Sequence, residues 1–166
     1  MDIYPDLYLD SVKYINSELL KKNNIKGLII DVDNTLIDYD RNLIPGAVEW
    51  CENLKSEGIN CMILSNTNKK DKVEGVAEIL DLPYIMFAQK PFKRGFKKAV
   101  EQLGLKAEEI AVVGDQIFTD VIGANRMNMF SILVKQVGEK DILITKVKRP
   151  LENYIVKKYL EKKGKK

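Results

Sequence analysis

Gly27-Leu28-Ile29-Ile30-Asp31-Val32-Asp33-Asn34-Thr35 is the stretch that decides the fold, because an apolar run ends abruptly in acidic and polar residues. An apolar run without alternation is typical of a strand that is buried on both faces of a sheet. Downstream, Pro45 precedes an amphipathic stretch over residues 46–56, which indicates a helix. The sequence therefore predicts a strand, a loop and a helix, in that order.

The same pattern recurs along the chain. It predicts strands over 59–64, 84–88, 110–113 and 130–134, and helices over 71–80, 92–103 and 120–127. Apolar strands separated by helices are typical of a parallel sheet with helices on both faces. The predicted fold class is α/β, a doubly wound parallel sheet with its core over residues 24–136. Helical spacing also predicts an N-terminal helix over 7–22 and a basic C-terminal helix and tail over 147–166, all within a single domain of residues 1–166.

Polar residues gather at the ends of four predicted strands. They are Asp31, Asp33 and Thr35 after the first, Ser65 and Asn66 after the second, Lys90 after the third, and Asp115, Thr119 and Asp120 after the fourth. In an open parallel sheet, ligands bind just outside the carboxyl ends of the strands. We therefore expect these residues to converge in one crevice.

Composition limits the chemistry of that crevice. The 166 residues include no histidine, which excludes a Ser-His-Asp or Cys-His pair, an imidazole base and His-ligated zinc or haem iron. Acid-base chemistry must then use carboxylates, lysine, tyrosine or cysteine. Cys51 and Cys61 lie in apolar segments and are expected to be free buried thiols, so the expected location is the cytoplasm.

The carboxylates predict a metal and a phosphoryl group. A cluster of carboxylates without histidine or thiolate is a hard oxygen site, which favours Mg²⁺. A lysine and hydroxyls beside such a metal suit a phosphoryl group, because they offset its charge and hold its oxygens. Asp31 and Asp33 are suited to divide the remaining roles: one attacks phosphorus to form an aspartyl phosphate, and the other protonates the leaving oxygen and then activates water.

Four motifs resemble those of haloacid dehalogenase (HAD) superfamily phosphatases, in the same order. Asp31-Val32-Asp33-Asn34-Thr35-Leu36 resembles the first motif, DxDxT, Ser65 the second, Lys90 the third, and Gly114-Asp115-Gln116-Ile117-Phe118-Thr119-Asp120 the fourth. The residues of these motifs are similar to those of the YqeG-type phosphatases of subclass IIIA, which are related to phosphatidylglycerophosphate phosphatases. The resemblance implies a HAD-like Rossmannoid fold, and it makes a phospholipid head group a candidate substrate.

The resemblance also implies a role for each site residue. Asp31 would be the nucleophile and Asp33 the acid and base, with Mg²⁺ held by Asp31, the backbone carbonyl of Asp33 and Asp115. Ser65 and Lys90 would bind the phosphoryl group, and Asp120 would support the site. From their positions after the strands we also expect Asn66 to bind the phosphoryl group and Thr35 and Thr119 to support the site. One alternative stays open, because Lys93 lies one helical turn from Lys90 and would offer the same charge.

The motifs are spaced too closely for an inserted cap domain. Asp31 and Ser65 are 34 residues apart, Ser65 and Lys90 are 25 apart, and Lys90 and Asp115 are 25 apart, which leaves room for one crossover each. A cap with its own core needs about 50 additional residues. We therefore predict an open site that takes a large or surface-presented phosphorylated substrate, or a lid formed by a neighbouring subunit of an oligomer.

The end of the chain is strongly basic. Residues 146–166 contain nine basic and two acidic residues. A polybasic segment beside an amphipathic helix can make peripheral contact with an anionic membrane, or bind nucleic acid, through its charge. The alternative is a helix that packs on its own domain through Leu151, Tyr154 and Ile155 and ends in exposed lysines.

Two other functions compete with a lipid-directed phosphatase. The basic tail also suits a nucleic-acid-associated phosphatase or binding factor. A receiver-like signalling module is likewise doubly wound and carries a phosphoryl-accepting aspartate, but its lysine comes last. Here Lys90 precedes Asp115, so the order of the residues argues against a receiver.

Overall fold

Six parallel strands form one sheet within residues 2–138 and 143–164, the parts of the chain that the computed structural model describes. The strands are β1 (Leu7–Leu9), β2 (Gly27–Ile30), β3 (Asn60–Leu64), β4 (Tyr84–Ile85), β5 (Ile110–Gly114) and β6 (Phe130–Val134). Their order across the sheet is β1-β6-β5-β2-β3-β4. The strand order therefore reverses between β2 and β5, which is where open α/β sheets bind ligands.

Helices cover both faces of the sheet. They are α1 (Ser17–Lys22), α2 (Ala47–Ser56), α3 (Lys70–Leu80), α4 (Lys93–Leu103), α5 (Ile122–Arg126) and α6 (Leu143–Gly164). On one face, Leu28 and Ile30 of β2 belong to an apolar cluster with residues of α2 and α3. On the other face, Ile29 clusters with Phe96 of α4 and Ala124 of α5. Burial on both faces explains the unbroken apolar run, and the predicted doubly wound α/β fold is confirmed.

The N-terminal segment differs from the prediction. The helix predicted over 7–22 is wrong in its first half, where β1 pairs in parallel with β6 and Leu7 aligns with Ile132. The reason is that Asp6 tethers the segment to the sheet edge, because its carboxylate accepts the amide of Ser131 at 2.8 Å. Within residues 7–22 only α1 is α-helical, and it begins where the Asn16 side chain accepts the amide of Leu19 at 2.8 Å.

Two predicted elements near the site also change. The strand predicted over 84–88 ends at Ile85, because Phe87 adopts a positive φ of 50° that breaks the ladder. The helix predicted over 120–127 begins earlier, as a π-helical turn over Ile117–Val121 that leads into α5. The chain therefore reaches the carboxyl edge of the sheet through irregular backbone, which places polar side chains there.

The C-terminal helix α6 runs from the carboxyl edge of the sheet to the opposite edge. Near its start, Arg149 contacts Asp115, which directly follows β5. Near its end, the Tyr159 hydroxyl donates to the carbonyl of Asp6, just before β1, at 3.3 Å. Within the described residues, α6 begins four residues before the predicted 147 and ends at Gly164, and residues 165–166 lie outside the description. No helix of the described chain has the length and apolar character needed to cross a membrane.

Candidate active site

Three carboxylates converge at the carboxyl edge of the sheet. Asp31 directly follows β2, Asp115 directly follows β5, and Asp120 lies in the π-helical turn. One oxygen of each lies within 4.8 Å of the others, and all three residues are buried. Gly114 makes this approach feasible, because a Cβ at that position would lie 2.2 Å from Asp120 Oδ2.

Lys90 lies among these carboxylates. Its Nζ is 2.8 Å from Asp31 Oδ1 and 2.7 Å from Asp120 Oδ1, and its side chain is 3% exposed. Asn66 holds the Lys90 backbone, accepting its amide at 2.6 Å and donating to its carbonyl at 3.0 Å. Lys93, the alternative phosphate lysine, lies on the exposed first turn of α4. Of the two lysines, only Lys90 contacts the carboxylates, and Asn66 positions it.

The remaining predicted residues surround this cluster. Ser65 is fully buried at the end of β3, and its Oγ accepts the amide of Thr67 at 3.2 Å. Thr35 Oγ1 lies 3.5 Å from Asp115 Oδ1. Asp33 lies farther out, with its Oδ1 2.5 Å from Nζ of Lys72. Nothing in the lysine-rich stretch 69–72 singles out Lys72, so the sequence analysis missed this contact.

A cavity of about 670 Å³ opens above these residues. Asp31, Asp33, Lys90 and Thr119 line it, and its wall includes Tyr39, Arg41, Lys69, Lys72, Phe87 and Lys148. The cavity lining therefore includes five basic residues, Arg41, Lys69, Lys72, Lys90 and Lys148, and three aspartates, Asp31, Asp33 and Asp38. An excess of cations over carboxylates attracts anions from solution.

Burial sets the protonation of the cluster. It raises the pKa of Asp31 to about 7, an effect that Lys90 opposes and Asp120 reinforces. Burial also raises the pKa of Asp115, against the influence of Arg149. For Lys90, burial lowers the pKa, but the Asp120 and Asp31 carboxylates raise it more, so it lies above its ordinary value. Lys90 is therefore a cation at neutral pH, and Asp31 titrates near neutrality.

The raised pKa of Asp31 predicts how the stability of the metal-free protein depends on pH. The folded protein keeps a proton on Asp31 up to a pKa of about 7, whereas the unfolded chain releases it near about 3.9. Unfolding then releases a proton, so we expect the free energy of unfolding to fall as the pH rises between about 4 and about 7. Urea unfolding in chelator from about pH 5 to about pH 8 measures this slope. Asp31→Asn should make the slope shallower, because it removes one of the buried carboxylates whose pKa is raised and leaves Asp115. A wild-type stability that increases over this range would contradict the prediction.

With this geometry established, the chain can be compared with known proteins. A model of the haloacid dehalogenase-like hydrolases matches residues 38–128, which is more than half of the chain. The chain belongs to this family. The hydrolase is also 41% identical, over 161 residues, to the "Probable phosphatase YqeG" of Bacillus subtilis (strain 168), covering 96% of this chain and 92% of that protein.

The hydrolase also has more distant relatives. It is 28% identical to "Phosphatidylglycerophosphate phosphatase 1, chloroplastic/mitochondrial" of Arabidopsis thaliana, covering 96% of this chain and 49% of that protein. Among solved structures, a putative subfamily III A HAD hydrolase from Legionella pneumophila aligns with a TM-score of 0.53 and 22% identity, covering 74% of this chain and 80% of that one. This structural likeness supports the HAD fold.

The donor set of the hydrolase fits a divalent cation. Three buried carboxylates offer hard oxygen atoms within 4.8 Å of one another, which is the ligand type that small divalent cations prefer. Two of the residues predicted to bind the metal, Asp31 and Asp115, belong to this group. Asp120, predicted as a supporting residue, is the third member, whereas the Asp33 carboxylate is outside it and pairs with Lys72.

Arg149 of α6 is a site residue that the sequence analysis missed. Its Nη2 donates to Asp115 Oδ2 at 2.8 Å and its Nη1 to the Asp115 carbonyl at 2.9 Å. Glu152, one turn later, is buried and accepts the amide of Phe118 at 3.1 Å. In the sequence, both residues belong to a highly charged tail, and only the packing of α6 distinguishes them. Through these contacts, α6 braces both Asp115 and the π-helical turn.

Arg149 should therefore tune cation binding. Replacing a side chain that orients a metal ligand typically costs about 10- to 100-fold in metal affinity, so we expect Arg149→Met to weaken Mn²⁺ binding by about that factor. Calorimetric titration of the metal-free hydrolase measures the effect without turnover. The matched control is Lys146→Met, which removes an exposed cation from the same helix. An unchanged or tighter affinity in Arg149→Met would show that Arg149 does not position Asp115 for the metal.

Proposed function

We propose that this hydrolase is a Mg²⁺-dependent phosphatase that hydrolyses phosphate monoesters through an aspartyl phosphate on Asp31. The observation that carries the proposal is the contact of Asp31 with Lys90, at 2.8 Å, in the floor of an open cavity. This arrangement puts a carboxylate nucleophile beside a cation that offsets phosphoryl charge. The motif order and the family membership point to the same chemistry.

In the proposed reaction, Lys90 and Ser65 hold the phosphoryl oxygens while one carboxylate oxygen of Asp31 attacks phosphorus in line. The bond from phosphorus to the leaving oxygen breaks, and Asp33 donates a proton to that oxygen. Asp33 then takes a proton from a water molecule, which attacks the aspartyl phosphate and releases inorganic phosphate. Lys72, 2.5 Å from Asp33, orients this carboxylate toward the cavity.

Asp31, Asp115 and the backbone carbonyl of Asp33 are the groups proposed to hold Mg²⁺. The ion would supply positive charge that offsets the phosphoryl oxygens in the transition state. Asp120 anchors Lys90 at 2.7 Å and accepts the amide of Gln116 at 3.2 Å. It therefore supports the site by holding the lysine in place.

The proposed substrate is a phosphomonoester presented on a surface, such as the head group of phosphatidylglycerophosphate. The absence of an inserted domain from residues 2–138 leaves the mouth of the cavity open, which suits a large substrate. Relatives named as phosphatidylglycerophosphate phosphatases, in Arabidopsis thaliana and Saccharomyces cerevisiae, support this choice. The excess of basic residues in the cavity lining suits a substrate that carries further negative charge.

A substrate panel tests the proposed function. Phosphate release is measured with Mg²⁺ and with chelator on phosphatidylglycerophosphate in mixed micelles, 4-nitrophenyl phosphate, and sugar, nucleotide and peptide phosphates. We expect Mg²⁺-dependent release, with the highest kcat/KM on the lipid. The absence of Mg²⁺-dependent release from every compound would overturn the phosphatase proposal, and a preference for a soluble ester would overturn only the lipid assignment.

The role of Asp33 has its own signature. If Asp33 protonates the leaving oxygen, Asp33→Asn should slow hydrolysis most for alkyl phosphates, by about 10²- to 10⁴-fold, and least for 4-nitrophenyl phosphate, whose leaving group needs no proton. The measurement is kcat/KM for both substrate types. Lys72→Met is a second variant to measure, because it removes the cation paired with Asp33 and keeps the Asp33 carboxylate. Equal losses on both substrates in Asp33→Asn would mean that another group donates the proton.

A further inference from the structure

A cluster of cations lies beside the mouth of the cavity. Residues 82–100 contain five basic residues and no acidic one. Lys90 is buried in the site, but the other four, Lys93, Arg94, Lys97 and Lys98, are exposed on the first two turns of α4. Cations repel the positive N-terminal end of a helix dipole, where acidic residues are preferred. Self-stabilisation of the helix therefore does not explain them.

Two exposed phenylalanines precede these exposed cations in the chain. Phe87 is 62% exposed and Phe92 is 63% exposed, on either side of Lys90 in the chain. Phe87 has a positive φ of 50°, a conformation that bulky residues rarely adopt, and its amide donates to the Thr67 carbonyl at 3.0 Å. The backbone thus holds a large ring in solvent at a conformational cost. An exposed ring held in such a conformation, with a second exposed ring five residues later, indicates a contact surface.

Phe87, Arg94 and Lys98 connect the cations of α4 to the catalytic cavity. Phe87 lines the cavity above Asp31, and it also lines an adjoining groove of about 340 Å³ together with Arg94 and Lys98. Tyr39, 54% exposed, lies on the cavity wall as well. Because Phe87 and Tyr39 are both exposed on the cavity lining, a broad surface pressed against the cavity would contact both rings.

The chemistry of this surface matches an anionic phospholipid bilayer. Aromatic rings are favoured at the boundary between head groups and acyl chains, and lysine and arginine side chains reach from there to the lipid phosphates. A protein partner fits less well, since lysine is depleted in protein interfaces. The net positive charge of α4's first turns is therefore complementary to anionic lipid.

The lysines in the last turns of α6 lie at the opposite end of the molecule from the cavity. Lys162 Nζ is 4.4 Å from the ring centroid of Tyr4, and Tyr159 contacts Asp6 just before β1. Because all strands are parallel, the start of β1 lies at the edge of the sheet opposite Asp31. A bilayer held only by the last turns of α6 would therefore face away from the cavity.

We propose that Phe87, Phe92 and the exposed cations of α4 (Lys93, Arg94, Lys97 and Lys98) form the surface by which this protein docks on anionic phospholipid membranes. The docked orientation places the mouth of the cavity against the lipid head groups. The functional meaning of this orientation rests on the proposed phosphatase function, but membrane binding itself does not depend on turnover.

Two variants with equal loss of charge test the proposal. One replaces Lys93, Arg94, Lys97 and Lys98 by Gln, and the other replaces Lys157, Lys158, Lys162 and Lys163 by Gln. Binding is measured by co-sedimentation with vesicles of equal parts phosphatidylcholine and phosphatidylglycerol. Since each basic residue near such a surface contributes about fivefold in affinity, we expect the α4 variant to bind at least about 100-fold more weakly. The tail variant should bind within about threefold of wild type.

The phenylalanines provide a second test, which does not depend on charge. Phe87→Ser and Phe92→Ser together should reduce vesicle binding by about tenfold or more, and an unchanged midpoint of thermal unfolding verifies the fold. Phe92→Trp should show quenching of its fluorescence by brominated lipid. Trp50 is only 7% exposed and serves as the internal reference.

Three results would overturn this proposal: equal loss in both charge variants, loss only in the tail variant, or retention of single-stranded RNA by the α4 surface without vesicle binding. Each is separable from a failure of the proposed function. Hydrolysis of soluble phosphate esters without vesicle binding leaves the phosphatase proposal intact and removes the docking surface. Vesicle binding that depends on α4, without hydrolysis of any ester, leaves the docking surface intact and removes the phosphatase proposal.

Discussion

Asp31→Asn is expected to lower kcat by about 10⁴-fold or more, because an amide does not attack phosphorus and no acyl phosphate forms. The substitution keeps the shape of the side chain, so Asp115, Asp120 and Lys90 remain in place around it. It also removes a carboxylate whose pKa burial raises to about 7, so the fold should not lose stability at alkaline pH. Phosphate release from 4-nitrophenyl phosphate with Mg²⁺ measures the loss.

The matched control for Asp31→Asn is Asp81→Asn. Asp81 follows α3, its side chain is fully exposed, and it lies far from the carboxyl edge of the sheet. The same change of charge there should leave kcat within about twofold of wild type. A second readout is the phosphoenzyme itself, trapped by acid quench and released by hydroxylamine, which Asp31→Asn should abolish. Turnover of Asp31→Asn within about tenfold of wild type would refute Asp31 as the nucleophile.

Lys90→Met is expected to cost about 3 to 5 kcal/mol in the free energy of unfolding at about pH 8. Lys90 Nζ lies within 2.8 Å of two buried carboxylates, Asp31 and Asp120, and its side chain is 3% exposed. Removing the cation leaves both carboxylates buried without that partner. At about pH 5 the cost should shrink, because Asp31 takes up a proton and no longer needs the cation.

Lys93→Met is the matched control for Lys90→Met, and the pair also decides between the two lysines that the sequence left open. Lys93 is exposed on α4, so its loss should change stability by less than about 0.5 kcal/mol. Urea unfolding of the metal-free proteins at the two pH values measures both effects. The phosphatase activity of Lys90→Met should fall by at least about 10²-fold. If Lys93→Met were the more damaging substitution, the assignment of Lys90 would be wrong.

Local sequence patterns predicted most of the architecture. Residues 27–30 are apolar at every position because β2 is buried on both faces, and the helices between strands are amphipathic because each covers one face. The N-terminal segment was harder, since Leu7 and Leu9 suit a strand as well as a helix. The decisive partner is Ser131, which bonds to Asp6 from 125 residues away, and no local pattern reveals it.

The candidate site also contains residues that local sequence predicts and residues that only packing reveals. Asp31, Asp115, Asp120 and Lys90 were predicted to meet because they follow parallel strands or the loops after them, and the carboxyl ends of parallel strands share one edge. Lys72 and Arg149 were missed because their roles depend on how α3 and α6 pack against that edge. In the sequence, they are two cations among 27.

The sequence by itself determined the doubly wound sheet and the family, and the absence of histidine predicted carboxylate chemistry. Only the tertiary structure decided which cations pair with which carboxylates, and which basic residues line the cavity. The physical reason is the distance along the chain over which each kind of pattern or contact acts. Periodicity and motif spacing act over a few residues, whereas an ion pair such as Arg149 with Asp115 joins residues 34 positions apart on separate elements.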